Sequence, residues 1–416
     1  MSREIDLQLP LVDSYPLALE IIQKLNAVGH TSYFAGGCVR DALLGKVPKD
    51  IDIATTAHPD EVERHFSHTV AVGKKFGIIV VIQGRHSIEV ATFRKESDYR
   101  DGRRPEHIEY SGPEEDSIRR DFTMNALFYD PVKKSVIDFQ NGISDIENKI
   151  LRCVGNADKR FSEDYLRILR CFRFGLVLGL KIEEATLQSA LRYREGLRQV
   201  SQERKREELL KTSLNLKYPW QMVCVYSTHK LWMYYGLPNE ILDYHDYLFS
   251  AAIDNETELL TCLLWSLSAR INIKSWLKEF KCSTEVRQQV VQALDFKNNI
   301  LSILNWSDED MHMLSYKSDL RWLINILKTE IANPFYKVHH QQSQINQKLD
   351  RLSELMRLYA GKDIKPIVNG DDLKMRFQGV ELGRVLDLLF RKQLVFQWTR
   401  KEDALRWLDT QAVRKG

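Results

Sequence analysis

The chain of 416 residues is 44% hydrophobic and 28% charged, which excludes a disordered chain and predicts about two to four globular domains. Its formal net charge of +3 does not indicate a polyanionic partner, although a local basic groove is compatible with it. The sequence has no apolar run long enough to span a membrane, no signal peptide and no CxxC pair. It therefore predicts a cytoplasmic protein with no membrane partner, whose cysteines are reduced core thiols rather than disulfides or zinc ligands.

Helix and strand signals are mixed in the first 150 residues. Apolar residues at helical spacing predict a helix over residues 17–27, and residues 33–35 form a predicted strand that leads into two glycines and a helix over residues 39–44. A polar segment with glycine and proline predicts a loop over residues 95–105. Further strands, rich in β-branched and aromatic residues, are predicted over residues 51–54, 77–83, 87–93, 126–129 and 136–139. The pattern predicts an α+β head with a small mixed sheet.

Segments of helical periodicity dominate the chain after about residue 151. Glycine and proline become rarer, and neither a fixed-period repeat nor a low-complexity tract is present. Helices are predicted over residues 163–179, 184–193, 201–214, 256–269, 283–303, 319–329, 338–359 and 382–391. The sequence therefore predicts a mixed head followed by an all-helical part.

A pair of glycines lies between the strand at residues 33–35 and the helix that follows it, in the sequence GGCVRD of residues 36–41. Gly36 and Gly37 allow the backbone to approach a phosphate closely, and the N-terminus of a helix favours negative charge. The forked donors of Arg40 suit a triphosphate. A tight turn without a ligand is the alternative.

Two aspartates one residue apart, Asp50 and Asp52, follow this turn. Alternate side chains of a strand share a face, so both carboxylates would lie opposite Ile51 and Ile53. Glu89 alternates in the same way on a later strand and supplies a third acid if the two strands are neighbours. Mg²⁺ is usually bound by one or two carboxylates together with substrate phosphates, so these acids indicate metal-assisted nucleotidyl transfer. The alternative is that they are surface acids.

Two arginine-rich segments complete the pattern. Arg119 and Arg120 precede an apolar run and need an anion, which is a triphosphate, an RNA phosphate or, in the alternative, the acids at residues 114–116. In residues 163–174 (EDYLRILRCFRF) an acid and three arginines recur at every third position, which forms a slanted strip on a helix. Acceptors beside planar donors suit a base edge and its phosphates, and a ladder of ion pairs is the alternative. The strip consists of Asp164, Arg167, Arg170 and Arg173.

These motifs occur in the order found in one known family. The sequences GGCVRD, KDIDI, RRDFTMNAL, EDYLRILRCFRF and ERKREEL closely resemble motifs A to E of the class II tRNA nucleotidyltransferases and bacterial poly(A) polymerases. The resemblance implies addition of nucleotides to an RNA 3′ end from CTP and ATP, with Mg²⁺ and without a nucleic-acid template. It implies a polymerase-β-like head at residues 1–150, then a helical neck at 151–215, a helical body at 216–310 and a tRNA-binding helical tail at 311–416. The oligomeric state is left open.

The resemblance also implies the roles of individual residues. Asp50 and Asp52 match the Mg²⁺ ligands of the family, and Glu89 is the third catalytic candidate beside them. The positions that match nucleotide-binding residues, from the triphosphate to the base, are Gly37, Arg40, Arg120, Asp164, Arg167, Arg170 and Arg173. Among these, Asp164 and Arg167 match the pair that reads the Watson–Crick edge of CTP or ATP.

The substrate within the family is less sharply indicated. Poly(A) polymerases of this type usually carry a GRRF stretch ending in HV, whereas residues 72–81 (VGKKFGIIVV) lack the histidine and look more like a CCA-adding enzyme. Residues 95–105 resemble the flexible loop needed for the terminal adenosine, without the deletion of a CC-only enzyme. His245 and Asp246 are a lone dipeptide, so a phosphohydrolase domain is not expected. The sequence predicts addition of CCA, or of its terminal A, to tRNA; a poly(A) polymerase and a non-catalytic RNA-binding protein are the alternatives.

Overall fold

Two compact units make up the chain. The computed structural model describes residues 2–7, 9–99, 105–239, 249, 253–265, 267, 270–317, 320–332 and 341–413. One unit is Met1–Asp243 and the other is Tyr244–Gly416. The predicted division into head, neck, body and tail is finer than this and stays a prediction.

The described strands of the first unit form one large mixed sheet and two small ones. The strands are β1 (Ser2–Glu4), β2 (Ser32–Ala35), β3 (Asp52–Thr55), β4 (Thr69–Gly73), β5 (Ile78–Gln83), β6 (His86–Thr92), β7 (Arg94–Tyr99), β8 (Pro105–Tyr110), β9 (Leu127–Asp130), β10 (Ser135–Asp138), β11 (Ile150–Leu151) and β12 (Lys181–Ile182). The large sheet has the order β1-β10-β9-β2-β3-β6-β5-β4. In it β3 and β6 are parallel, and the other neighbours are antiparallel. The predicted mixed sheet is therefore confirmed.

Ten described helices accompany these strands. They are α1 (Tyr15–Ala27), α2 (Gly37–Leu43), α3 (Pro59–His65), α4 (Pro113–Ile118), α5 (Gly142–Glu147), α6 (Ala157–Glu163), α7 (Leu166–Leu178), α8 (Glu184–Tyr193), α9 (Gln202–Ser213) and α10 (Trp220–Thr228). The first has Pro16 as its second residue, where the missing N–H is not needed, and buries Leu17, Ile21, Ile22 and Leu25 at the spacing of one helix face. Under the sheet, the rings of Phe93 and Phe128 pack edge to face.

Three local predictions in this unit were wrong or incomplete. Residues 95–99 and Pro105 belong to the β7–β8 hairpin rather than to a loop, because a strand ladder is made by backbone groups and tolerates polar side chains. Residues 100–104 lie outside the described residues. Asp50 precedes β3 instead of lying within it. The predicted helix 163–179 is two helices, because Asp164 is extended (φ −147°, ψ 104°) and its carboxylate accepts from the backbone N–H of Leu166.

All regular secondary structure among the described residues of the second unit is helical. Its helices are α11 (Glu256–Leu264), α12 (Ile273–Glu279), α13 (Thr284–Asn298), α14 (Asp308–Lys317), α15 (Arg321–Ala332), α16 (Gln342–Tyr359), α17 (Gly370–Leu373), α18 (Gly379–Phe396) and α19 (Lys401–Val413). The helix predicted over residues 283–303 ends at Asn298, and a 3₁₀ helix, Ile300–Asn305, follows it. The Tyr359 hydroxyl, 2.6 Å from His312 Nδ1, donates to the Leu394 carbonyl and ties α14, α16 and α18 together. His245 and Asp246 lie outside the described residues.

The six cysteines are free thiols, as predicted, and all but Cys224 are buried. Burial raises the pKa of Cys38 to about 11 and that of Cys153 to about 12. Among the described helices, none is both long and apolar enough to cross a membrane.

Candidate active site

A cleft of about 530 Å³ opens in the first unit, lined by residues from β2, β3, β6, α2, α7 and α9. Six arginines and four carboxylates line it, so it combines donors that suit phosphates with acceptors that suit a metal ion or a base. Eight of the ten candidate residues lie here, namely Gly37, Arg40, Asp52, Glu89, Arg120, Asp164, Arg167 and Arg170.

The other two candidates, Asp50 and Arg173, line an adjoining cleft of about 370 Å³. Gly37, Arg40 and Asp52 line both clefts. Asp52 therefore lies where the two clefts meet, whereas Asp164 and Arg167 line only the larger one. We call the larger one the first cleft and the smaller one the second cleft.

Asp52 and Glu89 are neighbours because their strands are. Asp52 begins β3 and is the register partner of Glu89 on the parallel strand β6, so both side chains leave the same face of the sheet. The next pair, Ile53 and Val90, is buried at 1% exposure each. The predicted cluster of acids required these two strands to be neighbours, and they are.

The electrostatic environment of Asp52 favours the binding of a cation. Its pKa is raised to about 6, because the surrounding protein displaces water from the carboxyl and because Glu89 and Asp50 add negative charge, while Arg120 acts in the opposite direction. No group of three or more His, Cys, Asp or Glu side chains among the described residues forms a complete metal site. A site with few carboxylates that shares its metal with substrate phosphates fits Mg²⁺.

Gly36 gives Arg120 its place in the cleft. The glycine has a φ of +69°, and a Cβ atom there would lie 2.8 Å from Arg120 Nη1. Arg120 donates from Nη1 to the Asn125 carbonyl at 3.0 Å, and from Nε to the buried Asp116 at 3.1 Å. Arg119 pairs with the same Asp116 at 2.7 Å. Arg119 also pairs with Glu96 at 3.4 Å, so the ion-pair alternative for this motif is realised.

A hydrogen-bonded chain leads from the glycine turn to α7. Arg40 donates to Asn125 Oδ1 at 2.7 Å, Asn125 donates to Asp121 Oδ1 at 2.9 Å, and Arg170 donates to Asp121 Oδ2 at 2.8 Å. The guanidinium of Arg170, together with Asn125, outweighs the effect of burial and lowers the pKa of Asp121 to about 2. The ring of Phe174 lies under the guanidinium groups of Arg40, Arg170 and Arg173, at 5.0, 5.2 and 4.1 Å.

Asp164 and Arg167 come together at the junction of α6 and α7. Arg167 donates to the carbonyls of Arg160 and Arg119 at 2.9 and 3.0 Å, and to Glu163 Oε2 at 2.8 Å. Asp164 lies before the helix rather than on it, and its carboxylate pairs with Arg204 of α9 at 2.8 Å. Asp164 therefore lies in a bend between α6 and α7, and Arg167 lies in the first turn of α7. The predicted continuous helical strip does not include this bend.

Sequence reasoning missed three polar cleft residues: Asp121, Asn125 and Arg204. The first two lie in the segment that begins with Arg119 and Arg120, where the adjacent polar residues were a signal in themselves. Arg204 lies in the last of the five motifs, to which no chemistry was attached. The sequence around Arg204 gave no signal of this position, because its partner Asp164 lies 40 residues away.

Comparisons with known proteins identify the family of the chain. A family model described as the poly A polymerase head domain matches residues 32–152, and one described as tRNA nucleotidyltransferase domain 2, putative, matches residues 251–406. The CCA-adding enzyme of Enterococcus faecalis is 38% identical over 66% of this chain and 68% of its own length. That of Ligilactobacillus salivarius is 32% identical over 91% of each chain. The chain belongs to the CCA-adding enzyme family.

Solved structures of CCA-adding enzymes share the fold. The Bacillus stearothermophilus CCA-adding enzyme in complex with CTP has a TM-score of 0.72 at 27% identity, over 97% of this chain and 99% of that one. The Thermotoga maritima CCA-adding enzyme complexed with tRNA has a TM-score of 0.60 at 20% identity, over 99% of each chain. The predicted fold, a mixed-sheet head followed by helices, is the fold of this CCA-adding enzyme family.

Proposed function

We propose that this chain adds C, C and A to the 3′ end of tRNA, with CTP and ATP as substrates and protein side chains in place of a template. The observation that carries the proposal is that one cleft holds both Asp52 with Glu89 and Asp164 with Arg167. The first pair suits nucleotidyl transfer, and the second suits recognition of a base edge. Relatives named as CCA-adding enzymes, including structures with CTP and with tRNA, support the substrates.

Asp50 and Asp52 would hold Mg²⁺, which, when bound, supplies positive charge to the triphosphate and favours ionisation of the attacking hydroxyl. Arg40 and Arg120 orient the polyphosphate, and Gly37 leaves room for it. The 3′-oxygen of the RNA forms a bond with the α-phosphorus while the bond to the bridging oxygen breaks, and pyrophosphate leaves. Glu89, beside Asp52, accepts the proton of the hydroxyl.

Asp164 and Arg167 select the nucleotide. The carboxylate accepts from the exocyclic amino group that cytosine and adenine share, and the guanidinium donates to ring acceptors. Arg170 and Arg173 add positive charge beside them. In the proposed division of the chain, the head at 1–150 catalyses, the neck at 151–215 selects, the body at 216–310 connects, and the tail at 311–416 binds tRNA.

A single assay separates the candidate functions. Purified protein is incubated with tRNA transcripts that end before CCA, after C and after CC, with CTP and ATP given separately and together. Completion of all three transcripts is expected. Product from the CC end alone would mean addition of only the terminal A, and long A tails would mean a poly(A) polymerase. No product from any transcript would leave a non-catalytic RNA-binding protein.

A further inference from the structure

Arg204 of α9 holds the proposed base-reading acid in a two-pronged ion pair. Its Nη1 and Nη2 atoms lie 3.3 and 2.8 Å from Asp164 Oδ1 and Oδ2, and both residues line the first cleft. The two side chains are 21% and 19% exposed, so the pair is largely shielded from solvent. A forked pair fixes the plane of the carboxylate as well as its position.

The helix that carries Arg204 is itself fixed against α7. Glu208, one turn further along α9, is 2% exposed and accepts from Arg173 Nε at 2.7 Å. Its other oxygen lies 4.0 Å from Arg170 Nη1. One face of α9 therefore contacts both Asp164, which precedes α7, and the arginines on α7. These contacts fix the position of Arg204 relative to Asp164.

The ion pair with Arg204 leaves one hydrogen-bond acceptor position of the Asp164 carboxylate unoccupied by the described residues. Asp164 Oδ1 accepts from the backbone N–H of Leu166 and from Arg204 Nη1, which fills both of its lone pairs. Oδ2 accepts from Arg204 Nη2 alone among the bonds of the described residues. One acceptor position thus remains on a carboxylate whose orientation is fixed.

We propose that Arg204 is the positioning residue that makes the site choose amino bases over keto bases. Cytosine and adenine present an amino donor where uracil and guanine present a carbonyl oxygen. A carboxylate of fixed orientation accepts a hydrogen bond from the amino group of the base and repels a carbonyl oxygen. Without the fork only the bond from Leu166 remains, so the carboxylate turns and a water molecule bridges it to a keto oxygen. This rests on the proposed function, of which it specifies the base-selection step.

The test compares Arg204→Ala and Arg204→Lys with the wild-type protein. Each is assayed with tRNA transcripts for the ratio of kcat/KM between CTP and UTP, and between ATP and GTP. Arg204→Ala is expected to lower both ratios roughly 10- to 100-fold, the worth of a hydrogen bond to a charged group. Arg204→Lys keeps the charge without the fork and is expected to restore the ratios only in part. Arg198→Ala, which removes an exposed guanidinium paired with Glu195, is the control expected to leave them unchanged.

Two kinetic outcomes would overturn the proposal. One is a folded Arg204→Ala protein that is slower with all four nucleotides at unchanged ratios, since that marks a purely structural role. The other is full restoration by lysine, since that assigns the effect to charge alone. Equilibrium binding of CTP against UTP is measured in the same proteins without tRNA, and an unchanged preference there also contradicts it. Wild-type protein that incorporates neither CTP nor ATP contradicts the proposed function instead, while the binding comparison still judges Arg204.

Discussion

Asp52 is in electrostatic conflict with its surroundings. Its pKa is raised to about 6 by loss of water and by the nearby charges of Glu89 and Asp50. Because the folded state binds this proton more tightly than the unfolded state, ionisation of Asp52 lowers the stability of the metal-free protein as the pH rises from about 4 through about 6. A cation bound at Asp52 would remove this cost, so metal binding would stabilise the folded protein through this residue.

Replacing Asp52 with asparagine is expected to separate these effects. Without the carboxylate, incorporation of CTP into tRNA should fall by roughly 100-fold or more, since a metal ion contributes several kcal/mol to such a transition state. Binding of tRNA should be nearly unchanged. At pH 7 without Mg²⁺ the variant should melt at a higher temperature than the wild type, and the difference should disappear near pH 4. Asp60→Asn is the control, because Asp60 is paired with Lys74 outside both clefts. Wild-type incorporation by Asp52→Asn would contradict the metal assignment.

Asp121 should show the opposite dependence on pH. Its folded-state pKa of about 2 lies below the ordinary value, so its ionised form stabilises the protein above about pH 4 and this contribution is lost as the pH falls towards 2. Asp121→Asn should therefore lower the free energy of unfolding by about 2 kcal/mol at pH 7, from a shift of nearly two pKa units. Urea unfolding at several pH values measures it. A loss that is equally large at pH 2 would assign the effect to the hydrogen bonds of Asp121 instead of its charge.

At the scale of elements, the turn between β2 and α2 is built around a close approach of glycine and arginine. Gly36→Ala would place a Cβ atom 2.8 Å from Arg120 Nη1 and strain a φ of +69°. We expect a higher KM for both CTP and ATP, as Arg120 is displaced from the triphosphate, together with about 1 kcal/mol of lost stability from the backbone alone. Steady-state kinetics and thermal melting measure the two effects.

The chain offers a matched control for that substitution. Gly45 has a φ of +71°, and nothing lies within 4 Å of where its Cβ atom would be. Gly45→Ala should therefore also lose stability through its positive φ, but keep its KM values. If both alanine variants raise KM equally, backbone strain and not the position of Arg120 controls nucleotide binding.

The sequence predicted α8 and α9 to within one residue, whereas the longer helices predicted over residues 163–179 and 283–303 each run across a break. Eight of the ten candidate residues drawn from the motifs line one cleft. Alternation around Asp52 and Glu89 placed both carboxylates on one sheet face, and the structure pairs them in register. Asp164 was misplaced because its side chain competes with the helix for the N–H of Leu166, which periodicity does not register. Asp121 and Arg204 were missed because their partners, Arg170 and Asp164, lie far away in the chain and only the tertiary fold brings them close.

For the whole molecule, the formal charge of +3 conceals an uneven distribution. The second cleft is lined by five basic residues, Arg40, Lys46, Lys49, Arg173 and Lys211, against three acids, Asp41, Asp50 and Asp52. With a nucleotide bound in the first cleft, as we propose, this basic surface would be accessible to the backbone of the RNA to be extended. Net charge alone would have hidden such a partner.

Binding of tRNA should accordingly depend steeply on salt. The logarithm of the binding constant should fall linearly with the logarithm of salt concentration, and Lys49→Ala should reduce the magnitude of the slope by about one. Filter binding over a salt series measures it. Lys24→Ala, an exposed lysine of α1 that lines neither cleft, should leave the slope unchanged. An unaltered slope in Lys49→Ala would remove the second cleft from the RNA path.

The buried thiols report on motions that the static fold does not reveal. An alkylating reagent attacks the thiolate, so a cysteine that is buried and has a raised pKa reacts only when its surroundings open. Cys38, Cys153 and Cys171 lie in the first unit, and Cys262 and Cys282 in the second. Mass spectrometry of timed alkylation would therefore give separate opening rates for the two units, with and without tRNA. No labelling site has to be introduced, because these cysteines belong to the natural chain.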